Sequence, residues 1–151
     1  MAQPGTGSSV VDRIRVADVI DWSTFDQILE MDDDEDDREF SKSIVWNFFE
    51  QAENTFTQME SAISSKDLSQ LSSLGHFLKG SSAALGLKKV KDSCEKIQHL
   101  GAGKDETGIK DVQDDELLLS QIKIILDVVR KDYAESEIFL QSFYEPAGIE
   151  K

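Results

Sequence analysis

The residue most ready to do chemistry in this sequence is His76, set in the stretch LSSLGHFLKGSSAALGL at residues 71–87. Leu68, Leu71, Leu74, Leu78 and Leu85 recur at the three- and four-residue spacing of one buried helical stripe. At about 100° per residue, His76 points almost directly away from that stripe. Its companions on the outer face are the small residues Ser72, Ser73, Gly80 and Ala83, with Lys79 to one side. An exposed histidine on a helix is by itself an ordinary surface residue, so the surroundings decide. A neutral imidazole is a competent nucleophile near pH 7. Lys79, at i+3, can offset the charge of an incoming phosphoryl group. Gly80, at i+4, leaves the next turn bare, so another protein can approach. Glycine inside a helix costs about 1 kcal/mol relative to alanine, which calls for a reason. Nucleophile, counter-charge and clearance on one helix are what a phosphoryl acceptor needs.

The other reactive side chains form no comparable arrangement. The acidic run at residues 32–37 fails the EF-hand template, which requires glycine at position six and an acidic residue at twelve; counted from Asp32 these are Asp37 and Ser43. It reads as a solvated loop that also sets negative charge near the start of the following helix. His76 and His99 belong to different helices and lack metal-ligand spacing, so no metal is expected. His99 adjoins a helix end, where the dipole favours a cation, and reads as structural. Cys94 lies on an apolar stripe and reads as a buried thiol. No phosphate-binding GxxxxGK[ST] loop is present, so the chain shows no means of binding a nucleotide itself.

These side chains must be carried by helices. With 151 residues, one domain is the default expectation. Residues 1–12, rich in Gly, Ser and Pro, are expected to be disordered. A short helix is expected from about Ser23, with its hydroxyl as cap and Asp26 three residues on. A second runs from about residue 39 to 63 on Val45, Phe48, Ala52, Phe56, Met59 and Ile63, widened by Phe49. The His76 helix follows, with Asp67 as cap and Gly86 in the left-handed conformation at its end. Leu87, Val90, Cys94 and Ile97 mark a fourth, ended by Gly101 and Gly103. Residues 102–113 read as a flexible loop. A long helix from about 114 to 144 turns Leu118, Ile122, Ile125, Val129, Leu140 and Phe143 inward. Strand signals are nearly absent, and no heptad series is apparent. The expected fold is all-α: an antiparallel four-helix bundle with a short extra N-terminal helix and a long C-terminal one, spanning residues 13–147.

Charge narrows the partners. There are 30 Asp and Glu against 16 Lys and Arg, a net charge of −14, which argues against nucleic acid and anionic membrane. A single cysteine suits a reducing compartment, and neither a membrane span nor a secretory signal is apparent.

HFLKGSSAALGL, followed by CEKIQHLG, resembles the histidine-containing phosphotransfer family, and within it the fungal phosphorelay intermediates of the budding-yeast osmosensing type. The likeness extends to DWSTFDQILEMDDD and FSKSIVWNFFEQAENTFTQME, and so covers roughly residues 16–101, and more loosely the last helix. It implies that His76 is phosphorylated, that Lys79 stabilises the phosphoryl group, that Gly80 permits docking and that Gln98 hydrogen-bonds the histidine ring. It also implies a docking patch for receiver domains on the first helices. Ile28, Met31 and Ile44 occupy matching positions, with Ala83 and Gly80 beside them; Thr24 stands where that pattern has an apolar residue. The expected activity is a phosphorelay carrier. It takes a phosphoryl group from the receiver domain of a hybrid histidine kinase and passes it to a response regulator, with no cofactor of its own and Mg2+ supplied by the receiver. A monomer working in cytoplasm and nucleus is expected. The alternative is a helical adaptor that binds a protein partner without chemistry.

Overall fold

A computed structural model describes residues 20–32 and 37–145. The N-terminal segment 1–12 and the greater part of the acidic run lie outside the described residues. Five helices occur among those described: α1 (Trp22–Leu29), α2 (Glu39–Ser64), α3 (Leu68–Leu85), α4 (Lys88–Gly101) and α5 (Asp115–Tyr144). The protein is all-α, as expected. The four longer helices form a ring in which α2 packs on α3, α3 on α4, α4 on α5 and α5 back on α2, while α1 lies against α3.

Side chains satisfy orphan amides at the starts of α1, α2, α3 and α5, whereas α4, which follows Leu87, has no side-chain cap. Asp67 and Asp114 cap α3 and α5 by accepting from Gln70 N and Leu117 N, each at 3.0 Å. The cap of α1 is Asp21 rather than Ser23, which lies inside the first turn and donates its own amide (3.2 Å) and hydroxyl (2.7 Å) to Asp21 Oδ1. The cap of α2 comes from nine residues upstream. Asp32, its side chain 1% exposed, accepts from Ser41 N at 2.8 Å and Ser41 Oγ at 2.7 Å, with Arg38 at 3.5 Å. The Tyr144 hydroxyl donates to Ser41 Oγ at 2.8 Å, which ties the end of α5 to the start of α2. Burial pushes the Tyr144 hydroxyl up to about 12. The first residue of the acidic run is therefore a buried cap, not a solvated charge.

The expected stripes face the core. Leu71, Leu78 and Leu85 are buried in one core cluster that also holds Phe56, Ile97 and Ile122, and Leu68 and Leu74 pack partly buried against it. Cys94 is buried, and desolvation raises its thiol to about 12, which makes it unreactive at neutral pH. Gly86, with φ of 79°, ends α3 in the left-handed conformation, and its carbonyl accepts from Asp21 N at 2.6 Å. The segment after α4 is more organised than its composition suggests. Val112 N donates to Gly103 O and Asp105 N to Lys110 O, both at 2.8 Å, in a hairpin-like turn. Asp105 accepts from the Thr107 amide and hydroxyl, and His99 Nδ1 donates to Glu106 O at 2.9 Å. The His99 ring thus fastens this turn to the end of α4.

Candidate functional site

Helix α3 presents His76 to solvent near its middle. What holds that part of α3 in place is the residue before the histidine. A Cβ at Gly75 would lie 2.8 Å from Cys94 O and 2.9 Å from Gln98 N, so glycine lets the backbones of α3 and α4 touch. Gly101 does the same one helix end away, where a Cβ would stand 2.5 Å from Ser72 N. The Ser72 hydroxyl then donates across the seam to Gln98 O at 2.9 Å. Ser72 is consequently turned toward α4 and does not line the open face, in contrast to its expected place there. Ser73, Gly80 and Ala83 are exposed and Lys79 half-buried. A Cβ at Gly80 would meet nothing within 4 Å. The two helix glycines of α3 have opposite surroundings: Gly75 is pressed against a neighbour and Gly80 faces open space.

Gln98 is brought to the turn that carries His76, because its backbone is what Gly75 touches. Its amide oxygen is buried without a hydrogen-bond partner, and no hydrogen bond joins its side chain to His76. The expected hydrogen bond to the ring is absent from the structure. An unpaired buried amide oxygen costs roughly 1–3 kcal/mol.

The residues of the expected docking patch do not share one environment. Met31 is exposed, Ile44 half-buried against the core, and Ile28 only 7% exposed. Ile28 therefore offers no more than its edge to a partner. Thr24 is half-buried; its hydroxyl donates to Asp21 Oδ2 at 3.2 Å, and its Cβ lies beside Gly86. That places it at the C-terminal end of α3, about 15 Å along the helix from His76. Two exposed aromatics escaped the sequence reading: Phe77, adjacent to the histidine, and Phe40, at the start of α2. Phe40 and Met31 line one open hollow of about 230 Å3 with Asp37 and Glu39. The signal for Phe77 was available, since the leucine stripe passes through Leu74 and Leu78 and leaves it outside. Among the described residues no group of three His, Cys, Asp or Glu side chains is placed to hold a metal ion.

The chain also resembles known proteins. The family model of the Hpt domain matches residues 43–132. Multistep phosphorelay regulator 1 of Schizosaccharomyces pombe is 52% identical over 127 residues, 84% of this chain and 43% of that protein. Phosphorelay intermediate protein YPD1 of Saccharomyces cerevisiae is 48% identical over 86 residues, 56% of this chain and 50% of that protein. The chain thus spans about half the length of these relatives. The co-crystal structure of S. cerevisiae Ypd1 with the receiver domain of its downstream response regulator Ssk1 superposes with a TM-score of 0.73 at 34% identity, covering 85% of this chain and 95% of that one. A family match over more than half of the chain, on a bundle that holds His76 outward beside Lys79 and Gly80, leads to one conclusion: the chain belongs to the histidine-containing phosphotransfer (Hpt) domain family.

Proposed function

We propose that the protein is a phosphorelay carrier with His76 as its phosphorylated residue. The observation that carries this reading is the exposed imidazole on a helix held rigidly by the Gly75 contact, with open space one turn away at Gly80. The relative that was crystallised with a receiver domain supports the kind of partner. In this reading a ring nitrogen of neutral His76 attacks the phosphorus of an aspartyl phosphate on the receiver of a hybrid histidine kinase. The phosphorus–oxygen bond to the aspartate breaks, the carboxylate leaves with the bonding pair, and the phosphoryl group ends on the imidazole. The return step onto a response regulator reverses the roles. Magnesium belongs to the receiver. In this reading Lys79 offsets charge on the phosphoryl oxygens, and Gln98, whose amide oxygen is buried without a partner, accepts a hydrogen bond from the His76 ring. Transfer then depends on positioning and charge neutralisation, for which the reacting atoms must come within roughly 3–3.5 Å in line.

The test is incubation with a phosphorylated receiver domain, followed by mapping of acid-labile phosphate on this chain. His76→Gln should abolish labelling and leave stability within about 0.5 kcal/mol, since an exposed side chain contributes little to packing. Lys79→Ala should slow transfer or shorten the lifetime of the phosphohistidine without abolishing labelling. Label retained on the His76→Gln protein would place the nucleophile elsewhere.

A further inference from the structure

Two of the exposed apolar residues have the same kind of neighbour. Met31 is followed by Asp32, whose side chain is 1% exposed, and Phe40 is followed by Ser41, which is fully buried. These buried neighbours are bonded to each other: Asp32 accepts from the Ser41 amide at 2.8 Å and from its hydroxyl at 2.7 Å. Consecutive Cα atoms lie about 3.8 Å apart, so holding Asp32 on Ser41 also holds Met31 in place relative to Phe40. That relation is what gives the two apolar side chains one shared hollow.

A third residue, from the far end of the chain, completes the clamp. The Tyr144 hydroxyl donates to Ser41 Oγ at 2.8 Å. A serine hydroxyl carries one proton. Accepting from Tyr144, Ser41 keeps that proton for the Asp32 carboxylate at 2.7 Å, with the Arg38 carbonyl the poorer acceptor at 3.3 Å. The side-chain bonds thus run one way, from tyrosine through serine to aspartate, and the carboxylate charge strengthens them. The Tyr144 ring is itself held against Phe143 and Trp46, with centroids 5.0 and 5.8 Å away.

We propose that the Asp32–Ser41–Tyr144 chain positions Met31 and Phe40 for the receiver domain, so that a hydroxyl at the end of α5 sets how tightly the receiver docks. This rests on the phosphorelay-carrier reading. The three residues act through Met31 and Phe40 and not by touching the receiver. A carboxylate that loses its serine partner gains by turning to water, and Met31 moves with it. The hollow then stands formed in only a fraction of the molecules, and the apparent affinity for the receiver falls by that fraction. The chemistry of His76 is untouched.

Calorimetry with a receiver domain, together with transfer kinetics, tests the assignment. Ser41→Ala removes the middle of the chain and should raise the receiver Kd about tenfold. Tyr144→Phe keeps the ring packing and loses only the hydroxyl; it should raise Kd about threefold, and it carries the test should Ser41→Ala unfold. The loss should appear in the receiver concentration that half-saturates transfer and not in the rate at saturation. Labelling by phosphoramidate should keep its parent rate in both variants. In a Phe40→Ala background Ser41→Ala should cost only about threefold, because one of the two side chains that it positions is already gone. A full tenfold loss in that background overturns the proposal, as does a loss confined to the saturated rate or shared by phosphoramidate. A parent chain that binds no receiver overturns the carrier reading and this proposal together. A parent that binds, with both variants binding equally well, overturns the positioning role alone.

Discussion

The same substitution at two glycines of α3, five residues apart, should have opposite effects on stability. Alanine at either position improves helix propensity by up to about 1 kcal/mol. At Gly80 nothing opposes that gain, because the new methyl group meets no atom within 4 Å. Gly80→Ala should therefore raise Tm by about 1–4 °C in a chain of this size. At Gly75 the methyl group would stand 2.8 Å from Cys94 O and 2.9 Å from Gln98 N, about 0.5 Å inside ordinary contact. Both obstacles are backbone atoms of α4, so no side chain can swing aside and the helices must separate. Overpacking of this kind costs about 1–3 kcal/mol, which outweighs the propensity gain. Gly75→Ala should lose about 1–2 kcal/mol and lower Tm by about 2–8 °C. Urea and thermal unfolding followed by circular dichroism at 222 nm measure both. The histidine turn should also report the shift, since Gln98 moves with α4; changed amide chemical shifts at His76 and Gln98 are expected for Gly75→Ala. A Gly75→Ala protein as stable as the parent would refute the claim that glycine sets the α3–α4 distance.

Three further outcomes are expected. Gly80→Gln should keep or slightly raise stability and retain phosphorylation by phosphoramidate, while transfer from a receiver domain falls far more; equal losses with both donors would make Gly80 part of the chemistry and not of docking. Met31→Ala and Phe40→Ala should weaken receiver binding in calorimetry with little change in stability, whereas Ile28→Ala should cost about 2–4 kcal/mol of stability, because Ile28 is 7% exposed. Glu137 has its pKa raised, first by burial and then by the charge of Glu53, so folding takes up a proton as pH falls through the raised value. Glu137→Gln should therefore stabilise the protein at pH 7, lose that advantage as pH falls, and match the parent once pH is below the ordinary glutamate range; an advantage independent of pH would remove Glu137 from this account.

The helices and the histidine were legible because both rest on local chemistry. A leucine every three or four residues must face a core, whatever the rest of the chain does, and a histidine half a turn away must then face water. Gly86 after Leu85 is a helix stop on its own conformational terms. The caps were less legible. Asp67 was read correctly because it lies beside the helix that it serves, whereas Asp32 caps α2 from nine residues upstream, across the acidic run. Composition alone makes an aspartate in such a run look solvated; burial beside Ser41 and Arg38 makes it structural.

The sequence by itself determined that the chain is helical, which face of each helix is apolar, and that His76, Lys79 and Gly80 share an outward face. Each of these depends on the 100° step of a single helix. What only the tertiary structure decided is everything that depends on a second helix. Gly75 and Gly101 resemble any other helix glycine until the backbone of the neighbouring helix is seen where their Cβ atoms would be. Ser72 belongs by phase to the open face and by contact to α4. Ile28 and Met31, three residues apart with similar polarity, part company because one turns under α1 into the core and the other does not. Distances between helices are set by side-chain volumes summed over the whole bundle, and no local spacing encodes that sum.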